Sequence, residues 1–555
     1  MAIITIPKKQ FEEEIGKLNE KMQDRIAMFG TPIEEIGDKE IQIEVFPNRP
    51  DLLSYQGFKR SFLAFLGKKT GLKKYKINRP EKNYKIIIDS SVKDVRPYTA
   101  CAIVKGLKFN DEKIKEVVEI QEKIHTTLGR KRKKIAIGLY PLEKIKLPIT
   151  FKTLEPDKIK FVPLGASKEM SGLQILQRHP AGIEYAHLLA GKAKFPIFID
   201  SEKNILSMPP IINSQLTGKI TKDTKDIFIE CSGFDFEILK KTLNIIVTAL
   251  ADMGGKIYQM EIKYRNTEIT PELTNEKMKI SLENTNKHLG IKINEKQLKQ
   301  LLEKMGHNYS KGVVEIPAWR ADILHEVDLI EDVAIAYGYE NFVPEIPEIF
   351  TIGEENKEET IKRKLSEILL GLNMLELSNY HLTNQKDQFK KMGTQEKEFI
   401  QVEESKTDYT ILRKNLTHYL LKIISENTDS EYPQSIFEIG KVFELKEDIN
   451  ETENLAVAIA PGNFTQIKQN IEYLFRMINL KIKFEEPGEF PPYFIEGRCA
   501  EIFLTDKEDE KLEDKTSSMG FVGEVHPKIL KNWKIKMPVA LFEISLGEVF
   551  KKLIE

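Results

Sequence analysis

Cysteine is scarce in this sequence: 555 residues hold three, Cys101, Cys231 and Cys499, too far apart for a zinc-ligand spacing. Such usage argues against a disulfide-built secreted scaffold and for a reducing compartment, so a cytoplasmic location is expected. Net charge is also missing, with 84 Lys and Arg against 85 Asp and Glu. A nucleic-acid partner therefore needs a local basic surface. No apolar run is long enough for a membrane helix, and the N-terminus lacks a signal-peptide pattern, so no membrane partner is expected. There is no GxxxxGK[ST] phosphate loop, no HExxH zinc helix, no low-complexity tract and no clear internal repeat. What is present is an ordinary globular balance, 41% apolar and 30% charged, in a chain too long for one core; three or four domains are expected.

The densest chemical pattern is residues 316–342, IPAWRADILHEVDLIEDVAIAYGYENF. Val327, Ile330, Ala334 and Tyr337 recur at helical spacing and should face a core, with Asp322 as N-cap and Gly338 ending the helix. Asp328, Glu331 and Asp332 fall within one turn on the opposite face. Like charges at that spacing repel by about 0.2–0.5 kcal/mol per pair, which favours a nearby cation. Oxygen-only ligands select a hard ion such as magnesium. The plain alternative is a solvated acidic face.

The order Pro317, Arg320, Asp322, then Asp328-Leu329-Ile330-Glu331-Asp332, then Tyr337-Gly338-Tyr339, closely resembles the metal-binding helix of the phenylalanyl-tRNA synthetase beta subunit family. The resemblance implies magnesium held by Asp322, Asp328, Glu331 and Asp332 in contact with an alpha subunit. It spans nearly the whole chain with its motifs in order. No added tRNA-binding domain is visible at the N-terminus and no anticodon-binding domain at the C-terminus, which is similar to the shorter archaeal or eukaryotic type. The implied fold is α+β multidomain: an N-terminal α/β domain over 1–80, a mixed α/β editing-like domain over 81–265, a small domain with the acidic metal-binding helix over 266–347, and a class II synthetase-like antiparallel-sheet core over 352–555.

Within 1–80, a charged helical pattern runs from Lys8 to Lys21, and Asn48-Arg49-Pro50-Asp51-Leu52-Leu53-Ser54 resembles the family's N-terminal part. Asp51 or Ser54 is expected to cap the following helix, and Arg49 is the interface candidate. In the second region a helix from Asp111 to Leu128 precedes Arg130-Lys131-Arg132-Lys133-Lys134. That run is either a solvated turn or a contact for tRNA phosphates. The segments LQRHPAGIEYAHLLAG, ILSMPPIINSQLTGKI and DIFIECSGFD resemble the family's editing domain, whose task is to hydrolyse tyrosine wrongly attached to phenylalanine tRNA. They imply a pocket at His179, Ser207, Asn213 and Glu230. From the residues alone, His179 before Pro180 should be extended, and a lone Glu230 in an apolar strand needs a partner or a purpose; for each of the four a purely structural role stays open. No Ser-His-Asp or Cys-His arrangement supplies a nucleophile, so hydrolysis would use a positioned water and the tRNA's terminal ribose.

Residues 266–347 read as helical or strand-helix segments ending at Gly290 and Gly306, with a winged nucleic-acid module as alternative, and VPEIPEIFTIGEEN reads as a linker. Beyond it, a helix from Glu358 to Leu372, strand-like LELSNYHL, DYTILRKNLTHYLLKII, SIFEIGKVFEL and GFVGEVHPKIL resemble segments of the beta subunit's catalytic-like core. Arg413 is the one arginine in a position reminiscent of an ATP contact, and no Gly-x-Gly-x-Gly-x-x-Arg motif is present. No catalytic residue for adenylate formation is expected in this chain. The reading is a beta subunit of phenylalanine–tRNA ligase, working with an alpha subunit in an assembly of two alpha plus two beta, with phenylalanine tRNA, magnesium, and ATP as substrate of the assembled enzyme. The alternative is a non-catalytic RNA-binding scaffold.

Overall fold

The computed structural model describes residues 2–396, 398–403, 405–505 and 518–554. The chain divides into two units, Met1–Ile346 and Pro347–Glu555.

Period-two alternation organises the first unit. The strand Ile227–Gly233 pairs antiparallel on both sides, with Tyr98–Lys105 and Ile135–Pro141. Ile227, Ile229 and Cys231 enter a core with Ala100, Ala102, Val104, Ile137 and the helix Phe236–Asp252. Phe228 points to the other face, into a second core with Cys101, Ile103 and Tyr140, and the alternation puts Glu230 on that face too. These strands belong to an eleven-stranded sheet. It is mixed, with parallel pairs where Lys256–Lys263 meets Ile77–Asn78 and Lys85–Ile88, and where Lys85–Ile88 meets Ile149–Leu154.

Toward the N-terminus, Ala2–Pro7, Glu40–Val45 and Ile33–Ile36 form a three-stranded sheet. The charged run after it is two helices, Lys8–Glu14 and Glu20–Met28, the second capped by Asn19. The helix Tyr55–Phe65 is capped by Ser54, which accepts from the Gly57 N–H at 3.0 Å. Asp51 is not a cap; Arg49 holds it through two bonds of 2.9 Å. Gly57 is required where it stands, because a Cβ there would lie 2.0 Å from the Asp51 carbonyl oxygen.

A third sheet, Glu276–Lys279, Val313–Ile316 and Asn308–Ser310, carries the helices Leu282–Leu289, Glu295–Lys304 and Glu326–Tyr337. The first ends on Gly290 in the left-handed conformation, φ 64°, where a glycine has no Cβ penalty. Leu298, Leu302, Val314, Leu329 and Val333 share its core.

In the second unit a seven-stranded sheet is antiparallel except where Leu375–Glu376 joins Gln434–Leu445. In its strand Ile449–Ala460, Leu455, Val457 and Ile459 face a core with the helices Lys357–Gly371, Phe464–Met477 and Gly547–Ile554. Ala456, Ala458 and Ala460 face the opposite core, where small residues let the helix Thr417–Glu426 pack close. The segment LELSNYHL forms only the short strands Leu375–Glu376 and Leu382–Thr383. Residues 343–356 contain no helix or strand. None of the described helices is long and apolar enough to cross a membrane.

Candidate functional site

The acidic helix Glu326–Tyr337 is capped by His325, not Asp322. The His325 ring accepts from the Val327 N–H at 3.2 Å, and Asp328 Oδ2 accepts from the Leu324 and His325 N–H groups, both at 2.7 Å. Asp322 is instead gripped by the Nε and Nη2 of Arg320 at 2.8 and 2.7 Å. The expected faces also need correction. Val327 is exposed, while Asp332 is buried and bound by Arg320 Nη2 at 2.9 Å and His307 Nε2 at 2.7 Å. The error came from treating the helix as having one apolar stripe: a carboxylate with two cationic or N–H partners can sit inside. Burial works to raise the Asp332 pKa; Arg320 first and His307 second overcome it and hold the carboxyl well below the usual range.

All four predicted carboxylates, Asp322, Asp328, Glu331 and Asp332, nonetheless line one cleft of about 390 Å³ with Arg49 and Arg320. Among the described residues no three His, Cys, Asp or Glu side chains are gathered closely enough to hold a metal ion. Glu331 is exposed on that wall, whereas Asp322 and Asp332 already have Arg320 on their oxygens and Asp332 has His307 as well.

Glu230 lies across from Gly138 in the sheet. A Cβ at Gly138 would come within 2.2 Å of the Tyr140 hydroxyl and 2.6 Å of Glu230 Oε1, so the missing side chain is what lets this phenol and this acid meet. Tyr140 Oη is 3.3 Å from Glu230 Oε1 and 3.3 Å from Asn213 Oδ1. Glu230 Oε2 and Ser207 Oγ are buried without hydrogen-bond partners. Ser207 pairs with Asn213 across neighbouring strands. Glu230 and Asn213 line a pocket of about 130 Å³ walled by Pro209, Pro210 and Ile211. Burial pushes the Glu230 pKa up to about 8, against the pull of the Arg96 charge. Arg96 donates to Ser232 rather than to Glu230. The acid is therefore neutral near pH 7 and can both donate to and accept from a ligand hydroxyl.

His179 has the expected extended backbone, φ −84° and ψ 135°. Its Nε2 donates at 3.2 Å to the Leu164 carbonyl, and Leu164 lines the same pocket, while His179 itself is not among the lining residues. The basic run is not one uniform patch. Arg130, Lys131 and Arg132 have left-handed φ of 47°, 53° and 65°. That turn sends Arg132 inward to Glu122 at 2.9 Å and the Ile211 carbonyl at 2.9 Å, and over the Tyr185 ring. The other four are exposed. Arg413 is buried and held by Glu438, the Lys441 carbonyl and the Asn379 carbonyl.

Three family models match this chain: the B3/4 domain over residues 92–247, the tRNA synthetase B5 domain over 278–339, and the phenylalanyl tRNA synthetase beta chain CLM domain over 343–546. The phenylalanine–tRNA ligase beta subunit of Thermococcus sibiricus is 38% identical over 519 residues, covering 91% of this chain and 90% of the relative. That of Archaeoglobus fulgidus is 37% identical over 563 residues, covering 99% of each. The chain belongs to the phenylalanine–tRNA ligase beta subunit family. An N-terminal fragment of the Pyrococcus horikoshii phenylalanyl-tRNA synthetase beta subunit superposes with a TM-score of 0.58 at 38% identity, covering 60% of this chain and 99% of the fragment.

In this beta-subunit chain, an aminoacyl-tRNA synthetase subunit by family, the Glu230 pocket falls within the B3/4 match and the acidic helix within the B5 match. Sequence reasoning missed Tyr140 and Gly138. Alternation along Ile135–Pro141 was a usable signal, since it puts Ala136, Gly138 and Tyr140 on one face. Arg96, whose charge reaches Glu230 from outside any motif, had none.

Proposed function

We propose that this chain supports ATP-dependent charging of phenylalanine tRNA by an alpha subunit and hydrolyses tyrosine misattached to that tRNA in the Glu230 pocket. The observation that carries the reading is a neutral, half-unsatisfied Glu230 beside Tyr140 and Asn213 at a small open pocket. A phenylalanine pocket without a polar test rejects an added hydroxyl only weakly. A second pocket can apply the reverse test: a phenol satisfies Glu230 Oε2, whereas a bare phenyl ring leaves it unpaired, at about 1–3 kcal/mol. Ser207 and His179 stand behind the lining, Ser207 paired with Asn213 and His179 bonded to the Leu164 carbonyl, and are assigned to shaping the pocket, with water as the nucleophile. In a tyrosyl-tRNA hydrolysis assay Glu230→Ala should slow hydrolysis while phenylalanine charging by the complex stays nearly intact. Unchanged hydrolysis would return Glu230 to a structural role.

In the same reading the antiparallel-sheet core is class II-like but makes no adenylate, because its Arg413 is committed to Glu438 and to backbone carbonyls. Adenylate chemistry needs cationic groups set against developing phosphate charge. Pyrophosphate exchange should be absent from the chain alone and appear with an alpha subunit, in an assembly of two alpha plus two beta and in the cytoplasm. The reading as a non-catalytic RNA-binding scaffold is disfavoured by the family membership and by the pocket.

Magnesium is assigned to Asp322, Asp328, Glu331 and Asp332, where it would add to the charge that Arg320 and His307 already balance on Asp322 and Asp332, with a partner subunit completing its ligands. Asp328→Asn should weaken magnesium-dependent assembly, read by light scattering, more than it lowers stability. The exposed Arg130, Lys131, Lys133 and Lys134 are assigned to tRNA phosphates, with Arg132 anchoring their turn.

A further inference from the structure

Residues 52–80 hold eight lysines and arginines and no aspartate or glutamate, in a chain whose charges otherwise balance. Some of these cations are used within the fold. Arg60 and Lys73 share Asp252 at 2.9 and 2.6 Å, Lys59 is paired with Glu14 at 2.7 Å, and Lys68 donates to the Ile15 carbonyl at 2.6 Å. Lys74, Lys76 and Arg79 are exposed, and among the described residues no carboxylate pairs with them.

The segment that carries them is fixed. Tyr75 donates to Asp252 at 2.8 Å, Asn78 donates to the Ile257 carbonyl at 2.9 Å, and Tyr75 and Ile77 pack against the large core of this unit. With Tyr75 and Ile77 turned inward, alternation turns Lys74 and Lys76 outward, about 6.6 Å apart. Ile77 stands beside Ile257 in parallel register, which sets Lys76 beside Lys256 one place earlier, and Lys256 is opposite Lys105. Val104, Ile257 and Ile77 all face the core, so the three lysines share the other face, in a row with about 4.8 Å between strands. Like charges set opposite one another across strands are destabilising. Lys105 is relieved by Glu81 at 2.8 Å and by the rings of Tyr84 and Tyr258. Lys76 and the exposed Lys256 have no such partner among the described residues, and an extended anion laid along the row removes their repulsion.

We propose that Lys74, Lys76, Arg79 and Lys256 form a second RNA-backbone surface, separate in sequence from the Arg130–Lys134 turn, which takes neighbouring phosphates of one strand. The proposal deepens the tRNA assignment made above and rests on it for the identity of the RNA. Lysine is depleted at protein–protein interfaces, whereas nucleic-acid interfaces are polar and strongly positive, so an RNA fits this face better than an acidic protein. Exposed ammonium groups on a strand face contact phosphate and carry no base information, so binding here is independent of sequence.

The experiment is a filter-binding titration of the full chain with a short RNA duplex of unrelated sequence and with uncharged phenylalanine tRNA, from about 50 to 200 mM chloride. Wild type should bind both, with affinity falling steeply as salt rises. Lys74→Ala/Lys76→Ala should weaken both about tenfold at the lowest salt and reduce the slope of log affinity against log salt by about two, near one per lost phosphate contact. Its unfolding midpoint should be no lower than that of wild type, because the exchange removes repulsion. Lys528→Ala/Lys536→Ala, which removes the same charge from exposed positions of the second unit, should change neither affinity nor slope. Equal slopes in wild type and Lys74→Ala/Lys76→Ala, or equal effects of the two double variants, overturn this surface and leave the tRNA reading in place. If Lys74→Ala/Lys76→Ala instead weakens binding of an alpha subunit with RNA slopes unchanged, the surface is a protein contact and the proposal falls. No RNA binding by wild type removes the surface and the tRNA assignment together.

Discussion

Asp332 and Glu230 are both buried carboxyls, and they meet opposite fates. Asp332 has Arg320 and His307 in contact and stays ionised well below the usual range. Glu230 has no cation in contact; a phenol donates to it at 3.3 Å, and burial raises it to about 8. Depth is the same in both cases, so depth does not decide the charge. What decides it is whether a guanidinium reaches the oxygens. The acidic cleft is thus built to keep charge and the sheet pocket to suppress it. The first suits a cation or a charged partner; the second suits an uncharged hydroxyl.

Removing the guanidinium breaks the comparison most severely. Arg320→Met leaves Asp322 and Asp332 without their shared partner, and about 3–5 kcal/mol of destabilisation is expected by urea unfolding at neutral pH. A much smaller loss would mean that Asp332 neutralises itself as Glu230 does. The pH profile sharpens the contrast. Glu230 has a folded pKa above its unfolded value, so the folded chain holds the extra proton; its contribution is complete below the ordinary glutamate range and is lost as pH rises toward about 8. Glu230→Gln should remove that decline, which has a slope of at most about 1.4 kcal/mol per pH unit. Asp332 has the reverse sign. Its contribution is present above the ordinary aspartate range and lost as pH falls below it, and Asp332→Asn should flatten only that acid limb. Unfolding curves at pH 3, 5.5 and 8 separate the two. The smallest effect expected is from Ser54→Ala, at a side chain that bonds neither acid; it removes one helix cap at about 1 kcal/mol and leaves both pH limbs unchanged.

The fold was legible where periodicity was strong. Continuous apolar segments located Ile227–Gly233 and Tyr98–Lys105, and Gly290 was read as a helix end, where the structure has a left-handed φ of 64°. It was less legible in LELSNYHL, which carries strand-like composition but yields two short strands. There, propensity is a statement about fitting a pleated, half-buried surface, and most of that segment has no neighbour to pleat against. The site was legible as a list of residue types. Asp322, Asp328, Glu331 and Asp332 were named and do share one cleft, and Glu230 and Asn213 do share one pocket.

By itself the sequence determined which residues are chemical and which segments are strands or helices, because hydrophobic period and cap chemistry act within a few residues. It also carried the family, through motifs that stay in order along the chain. Only the tertiary structure decided each acid's charge and each arginine's partner. Arg320 reaches Asp332 across 12 residues, Tyr140 reaches Glu230 across 90, and Arg60 reaches Asp252 across 192. A Coulomb contact depends on distance in space and on the water excluded around it, and neither quantity is written in the order of the residues.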